Sequence, residues 1–206
     1  MSAVDTFNKA QRAVPPWSLY IVGVIPAVWL VWLALTGGLS VEPIKELEHR
    51  LGELALQMVI AGLAITPLRW YLGVNLIRFR RALGLVTYFY IVLHLLVWLF
   101  LDVQILGEIW ADILKRPYIT VGMLGFVLMT PLAMTSNNWS VRRMGPNWRK
   151  LHKLVYGAAI LGGVHYMMLA KGFQIEPLVY LSIIALLLIL RVLPRKAAQA
   201  PVARRA

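Results

Sequence analysis

The chain has 206 residues, of which 60% are hydrophobic and 15% are charged, and its formal net charge is +12. A soluble domain carries roughly 25% charged residues and keeps its apolar runs short, so the composition excludes an ordinary soluble protein. Because there is no cysteine, disulfide scaffolds, thiolate zinc sites, Cys-ligated iron–sulfur clusters and cysteine nucleophiles are excluded as well.

Six apolar segments follow one another along the chain, each bounded by charged residues or opened by a proline. Crossing a bilayer takes roughly 20 mostly apolar residues, and we predict that these segments form the membrane helices of one all-α bundle. They are residues 17–36, 54–68 (starting near Leu47), 82–101, 117–139, 154–170 and 177–190 (continuing to Leu193). Residues 103–114 mix apolar and acidic side chains, which predicts a short helix lying on the outer surface.

The positive charges indicate the orientation. With six spans both termini lie on one side, and that side holds 16 of the 21 Lys and Arg residues and one of the nine acids. Positively charged loops face the cytoplasm, so we predict cytoplasmic termini. The basic character then follows from membrane topology, and we expect no nucleic-acid partner. We divide the chain into a cytoplasmic segment (1–16), a six-helix membrane domain (17–193) and a flexible cytoplasmic tail (194–206).

Two of the four histidines lie deep in predicted spans. His94 follows Ala82 by 12 residues and His165 follows Leu151 by 14, which places them about 18 and 21 Å from the cytoplasmic edge. Two imidazoles at matching depth on helices running the same way suit one haem iron held between them. A zinc ion would need a third or fourth ligand, and a proton relay usually includes a carboxylate. We expect no Asp, Glu or Cys at that depth in the predicted spans, which disfavours both alternatives. A ring hydrogen-bonded to a neighbouring helix is the remaining alternative.

The other candidate residues lie near the cytoplasmic edge. His152 precedes His165 by 13 residues, but on a continuous helix the two side chains would face different directions, and the third span has no histidine at that depth. A solvated interfacial histidine and a second haem ligand both remain open. Four arginines, Arg78, Arg80, Arg81 and Arg149, are either topology signals or groups that pair with haem propionates or a flavin phosphate. His49 is interpreted as a surface histidine, and Met168 as packing rather than a haem ligand.

Several short motifs resemble one bacterial family when taken together. They are Pro43-Ile44-Lys45 with His49, Thr66-Pro67-Leu68-Arg69, the run 77–85, Leu93-His94-Leu95, the run 115–122, the run 148–152 with Tyr156, and His165-Tyr166. The combination, from about Trp17 to Arg191, resembles the haem-binding membrane subunits of periplasmic protein-methionine-sulfoxide reductase systems, which belong to the ferric-reductase-like transmembrane family.

The resemblance implies a six-helix cytochrome of the bacterial inner membrane with one or two haems b and an associated FMN. It implies that His94, His152 and His165 are the important histidines. The expected partners are a periplasmic molybdopterin-dependent methionine-sulfoxide reductase, which repairs envelope proteins, and a cytoplasmic flavin reductase or membrane quinol as electron donor. A self-contained ferric or cupric reductase is the alternative function, and a non-haem transporter is a further one.

Overall fold

The computed structural model describes residues 2–170 and 174–193, and only the backbone of Leu106. Regular structure in these ranges is entirely helical. The ten α-helices found there are α1 (Ala3–Ala10), α2 (Ser18–Thr36), α3 (Pro43–Tyr71), α4 (Arg80–Val97), α5 (Leu106–Lys115), α6 (Pro117–Met134), α7 (Asn138–Met144), α8 (Pro146–Leu151), α9 (Leu154–Leu169) and α10 (Ile175–Val192). A 3₁₀ turn (Ile77–Phe79) precedes α4 and a π-helical turn (Trp98–Val103) continues it. The predicted flexible tail, 194–206, lies outside the described residues.

Five helical stretches are long and apolar enough to cross a membrane, and each coincides with a predicted span. They are α2, α3, the stretch Ile77–Val103, α6 and α10. The remaining predicted span coincides with α9, whose 16 residues extend about 24 Å. The short helix expected near 103–114 is present as α5.

Polar side chains set one boundary that differs from the prediction. The fourth span was expected to run to residue 139, but α6 ends at Met134. The hydroxyls of Thr135 and Ser136 donate to the carbonyls of Pro131 and Leu132, and the Asn137 side chain accepts the backbone N–H of Ser140 to cap α7. Such side-chain bonds to the backbone compete with helix continuation, so the chain turns there.

Four helices form a ring around the centre of the bundle. α3 packs on α4, α4 on α6, α6 on α9, and α9 on α3. Helices α4 and α9, which carry His94 and His165, therefore occupy diagonal positions. α10 covers the groove between α3 and α9, and α2 packs on the outside of α3 and α4.

Small residues allow these helices to approach closely, as is usual inside membranes. Ala159 of α9 is fully buried with Leu56, Leu63 and Ile184 from α3 and α10. On the other side, Tyr90 of α4 is buried and its hydroxyl donates to the carbonyl of Gly23 in α2, at 2.7 Å. The apolar cluster around Ala159 and the hydrogen bond of Tyr90 fix α10 and α2 on opposite sides of the ring.

The N-terminal segment, predicted only as cytoplasmic chain, contains a helix that contacts the loop between α3 and α4. Asn8 donates from its side-chain amide to the carbonyl of Gly73 and accepts the backbone N–H of Asn75, both at 2.9 Å. The guanidinium of Arg78 donates to the carbonyl of Arg12 at 2.8 Å. These bonds hold α1 on the same side as the α3–α4 loop.

Candidate functional site

The two deep histidines face each other inside the four-helix ring. The ring centres of His94 and His165 are 6.2 Å apart, and the ring planes are inclined by 76°. The structure therefore brings together the two residues that the sequence placed at a common depth.

One nitrogen of each ring is held by a backbone carbonyl of a neighbouring helix. His94 Nδ1 lies 2.9 Å from the carbonyl oxygen of Glu48 in α3, and His165 Nδ1 lies 2.7 Å from that of Tyr118 in α6. Because a carbonyl can only accept, Nδ1 must carry the proton in each ring. In the neutral ring Nε2 is then unprotonated, which is the tautomer that a metal-binding histidine needs.

A glycine lies under each ring, four residues after the carbonyl that holds it. A Cβ atom at Gly52 would lie 3.1 Å from His94 Nδ1, and one at Gly122 would lie 2.8 Å from His165 Nδ1. A side chain at either position would push the ring away from its carbonyl. We call each carbonyl–glycine pair, Glu48/Gly52 and Tyr118/Gly122, a histidine cradle.

The two cradles make the site a repeated structure. The hairpins α3–α4 and α6–α9 each open with a proline, present a carbonyl and a glycine four residues later, and supply the histidine from the returning helix. Gly52 precedes His94 by 42 residues, and Gly122 precedes His165 by 43. Sequence analysis missed the cradles because four residues spread over two helices are too sparse a pattern. The sequence feature that could have indicated them is a glycine in each of the two apolar helices, α3 and α6, that pair with the histidine-bearing helices α4 and α9.

The pair fits a haem iron better than an isolated metal ion. Metal–imidazole bonds are about 2 Å long, and the ring centre lies roughly 1 Å behind the nitrogen, so two rings on one metal have centres about 6 Å apart. Within the described parts of the chain, no cluster of three or more His, Cys, Asp or Glu side chains could hold a metal. Haem iron needs only two axial ligands from the protein, and two is what the site offers.

His152 lies at a break in the chain and not within a continuous helix. α8 ends at Leu151 and α9 begins at Leu154, so the argument that His152 and His165 face different directions on one helix does not apply. The His152 ring stacks on Trp148 with centres 3.8 Å apart, and its Nδ1 bonds the Trp148 carbonyl at 3.0 Å. Burial lowers the pKa of His152, the Trp148 carbonyl opposes this, and the charge of Arg80 lowers it further.

Two arginines lie near His152 and Tyr156: Arg80 is within electrostatic range of His152, and Arg191 contacts Tyr156. The Nε2 atom of His152 is buried and makes no hydrogen bond of ordinary length among the described residues, although the backbone of Leu132 lies close to the ring. The buried Nε of Arg191 likewise has no hydrogen-bond partner among these residues. Arg191 donates to the Tyr156 hydroxyl at 2.8 Å and to the Leu63 carbonyl at 2.6 Å, so it is anchored within the bundle and does not extend to the interface as a snorkelling side chain would. Arg80 lies beside Tyr156 and within electrostatic range of Arg191.

The ion pairs recorded for the described residues involve other groups. This cluster, which we call the inner cluster (Arg80, His152, Tyr156 and Arg191), therefore has an excess of positive charge. It suits an anionic group such as a propionate or a phosphate.

The remaining predicted arginines lie elsewhere. Arg78 bonds backbone carbonyls at the end of the N-terminal segment, and Arg81 donates to the side chain of Asn138 at 2.7 Å. Arg149 is exposed on α8. Of the four arginines, the structure brings only Arg80 into the inner cluster.

Comparisons with known proteins agree with this architecture. The family model described as "Ferric reductase like transmembrane component" matches residues 50–163. The chain is 49% identical over 187 residues (90% of this chain and 87% of the relative) to the protein-methionine-sulfoxide reductase heme-binding subunit MsrQ of Agrobacterium fabrum. It is 48% identical over 197 residues (95% and 91%) to the subunit of the same name from Rhizobium meliloti, and 43% identical over 190 residues (91% and 86%) to that of Brucella anthropi. No solved structure matches the chain.

Proposed function

The chain belongs to the ferric-reductase-like transmembrane family and, within it, to the MsrQ haem-binding subunits of protein-methionine-sulfoxide reductases, and we propose that it relays electrons across the bacterial inner membrane. The acceptor is a periplasmic molybdopterin-dependent enzyme that reduces methionine sulfoxide in envelope proteins. The chain itself is a b-type cytochrome subunit, and the terminal reduction takes place on the partner.

One observation carries the proposal. His94 and His165 face each other across the four-helix ring, and each has its Nδ1 bonded to a backbone carbonyl, so that its Nε2 is available to bind a metal. We assign His94 and His165 as the axial ligands of one haem b. A haem held there supplies one-electron transfer. The protein's part is to fix the ring tautomers through the carbonyls of Glu48 and Tyr118 and to surround the group with apolar helices, which limits access of water.

The inner cluster supports a second cofactor on the cytoplasmic side. Its unpartnered His152 Nε2 is a donor for a second haem b, and Arg80 is placed to pair with a propionate or with the phosphate of FMN. Three further arginines, Arg78, Arg81 and Arg149, lie outside the inner cluster. In this proposal they only add positive charge to the side of the protein on which the cofactor binds. A second haem and a flavin are alternatives for this position.

The orientation follows the charge distribution. If α9 also crosses the membrane, in addition to the five longer helical stretches, the chain has six spans and both termini lie on one side. The basic loops lie on that side too, which makes it the cytoplasmic side. A cytoplasmic flavin reductase or membrane quinol supplies the electrons. The outer side, counted over its loops and helix ends, carries a net charge of −3 and offers the partner a salt-sensitive docking surface.

The test replaces the two histidines singly and together. His94→Ala and His165→Ala should each abolish the same low-spin haem signal in the optical spectrum of the purified protein, because both ligands serve one iron. The double variant should lose nothing further. His49→Ala, at an exposed histidine on α3, is the matched control and should retain the signal. Two distinct signals lost independently would contradict the shared site.

A further inference from the structure

The segment that joins α6 to α9 carries positive charge only. Residues 135–153 contain no aspartate or glutamate, whereas they contain five basic residues, namely Arg142, Arg143, Arg149, Lys150 and Lys153. All five are exposed, and the ion pairs between described residues involve other side chains. The segment therefore presents a basic surface that has no counter-charge of its own.

Exposed apolar side chains border this basic surface. Met134, the last residue of α6, is 72% exposed, and Leu154, the first residue of α9, is 37% exposed. On α7, Trp139 is 64% exposed, and the guanidinium of Arg143 lies over its ring, 5.4 Å from the ring centre. Tryptophan is enriched where a membrane meets water. The arginines of α7 thus lie at the level where acyl chains give way to headgroups.

Hydrogen bonds fasten the segment to the helical bundle. The guanidinium of Arg81 in α4 donates to the side chain of Asn138, the first residue of α7, at 2.7 Å. The indole of Trp148 in α8 donates to the carbonyl of Thr135 at 2.8 Å. A surface that is held in place loses less conformational entropy on binding than a free loop does, so α7 is prepared for a ligand.

We propose that α7 binds the headgroup of an anionic phospholipid through Arg142 and Arg143. Guanidinium groups pair well with phosphate, and basic side chains beside membrane helices attract anionic lipids. The exposed Met134 and Leu154 suit the acyl chains, which a soluble phosphate lacks and which an acidic protein surface does not offer. The inference uses the placement of α6 and α9 as neighbouring spans, and it goes beyond the electron relay because it needs no haem.

A lipid bound to α7 acts on the inner cluster through α8. In the chain, α7 lies between Thr135 and Trp148, and the ring of His152 stacks on Trp148. Fixing α7 therefore restrains α8 and keeps His152 in position. We expect amide hydrogen exchange in α8 to be slower in phosphatidylglycerol than in phosphatidylcholine. Equal exchange in the two lipids would contradict this coupling.

The first test measures lipid binding by native mass spectrometry of the purified protein in detergent. Phosphatidylglycerol should bind in preference to phosphatidylcholine with the same acyl chains. The double variant Arg142→Gln/Arg143→Gln should lower the affinity for phosphatidylglycerol roughly 30-fold, the effect of two basic residues near an anionic lipid, and should leave phosphatidylcholine binding unchanged. Unchanged affinity for phosphatidylglycerol would overturn the proposal.

Two controls belong to this test. Lys45→Gln/Lys115→Gln removes two exposed cations from the opposite side of the protein and should bind phosphatidylglycerol as wild type does. Glycerol phosphate at equal concentration should not displace the lipid, because it has no acyl chains. Displacement by glycerol phosphate would identify a phosphate site and overturn the assignment to a lipid.

The second test locates the lipid in the wild-type protein, so it does not depend on the folding of the arginine variant. Lipids brominated on their acyl chains quench nearby tryptophans, and the difference between wild type and Trp139→Phe isolates the emission of Trp139. Brominated phosphatidylglycerol should quench this emission more strongly than brominated phosphatidylcholine. Equal quenching by the two lipids would overturn the site on α7.

The outcomes separate this site from the proposed function. A wild-type protein with its haem spectrum but without preference for phosphatidylglycerol would retain the electron relay, and the arginines of α7 would then serve only to orient the chain in the membrane. A protein that binds phosphatidylglycerol at α7 but contains no haem would overturn the relay and retain the lipid site.

Discussion

Each cradle leaves too little room for a Cβ atom beneath its histidine ring. The atoms nearest a Cβ at Gly122 are His165 Nδ1 and Cε1, at 2.8 and 2.9 Å, whereas the corresponding distances from Gly52 to His94 are 3.1 and 3.2 Å. The ring against Gly122 has less room to adjust. Since groups that orient a metal ligand usually contribute 10- to 100-fold to affinity, the cradles should be visible in binding.

We expect Gly122→Ala to lower haem affinity about 100-fold and Gly52→Ala about tenfold, because the added methyl displaces the ring from its carbonyl. Haem titration of the apoprotein measures the affinity. Electron paramagnetic resonance of the loaded variants reports ligand orientation, which a merely structural effect would leave unchanged. Gly62→Ala, also on α3, would meet only Leu83 at 3.9 Å and serves as the control. Equal affinities in all three variants would refute the cradles.

The inner cluster leads to a separate prediction, which concerns electron entry and depends on the buried Nε2 of His152. His152→Ala should leave the optical signal of the His94–His165 pair largely intact, because the residue belongs to a different site. Reduction by a cytoplasmic flavin reductase should nevertheless slow sharply. Lys153→Ala, next to it and exposed, should have no such effect. A normal rate of reduction in the His152 variant would make it an interfacial histidine without a cofactor.

The number of residues between each histidine and the start of its helix was enough to pair His94 with His165. A histidine within an apolar span is rare, and the residue count fixes its position along the helix axis. The same arithmetic could not find Gly52, Gly122 or Arg191. A glycine's role depends on which ring lies opposite it, and that is decided by tertiary packing.

Among the elements, the break between α8 and α9 determines where the inner cluster can form. Pro146 opens α8 after Gly145, whose positive φ of 51° favours glycine. The Trp148 indole then donates to the carbonyl of Thr135 at 2.8 Å. His152 is consequently positioned by a short helix fastened to the end of α6, and a helical wheel drawn through α9 could not have placed it.

Helices α2 and α4 approach each other closely at Gly23. A Cβ at Gly23 would lie 2.6 Å from Cγ1 of Val86, so Gly23→Ala should overpack the interface and cost about 1–3 kcal/mol. The expected result is a lower Tm in detergent with the haem spectrum preserved, because α2 lies outside the four-helix ring. Adding Val86→Ala should restore much of the loss. No recovery in the double variant would show that another contact is responsible.

At the scale of the whole molecule, the charge distribution and the position of the histidines predict one direction of electron flow. The protein is reconstituted in liposomes with the face that carries the basic loops inward, and it is reduced from inside. Reoxidation of the haem should then require both the periplasmic reductase and methionine sulfoxide outside. Rapid reoxidation by ferric iron alone, with no effect of the enzyme, would instead favour the metalloreductase alternative.

Composition and apolar runs predicted the helical architecture and the five helices that are long and apolar enough to cross a membrane, because the bilayer fixes the length and polarity of a span. They could not predict the ring of α3, α4, α6 and α9. Lipid tails are as apolar as leucine, so hydropathy does not record which helix faces which, and small residues decide the packing.

Because α4 and α9 pack mainly on α3 and α6, the haem proposed to join His94 to His165 would complete the centre of the ring. A ligand that binds only the folded chain stabilises it in proportion to its supply. Newly inserted chains that have not received haem should therefore be the less stable population and the preferred substrates of membrane proteases. Cellular haem availability would then set how many copies of this protein survive, independently of how many are synthesised.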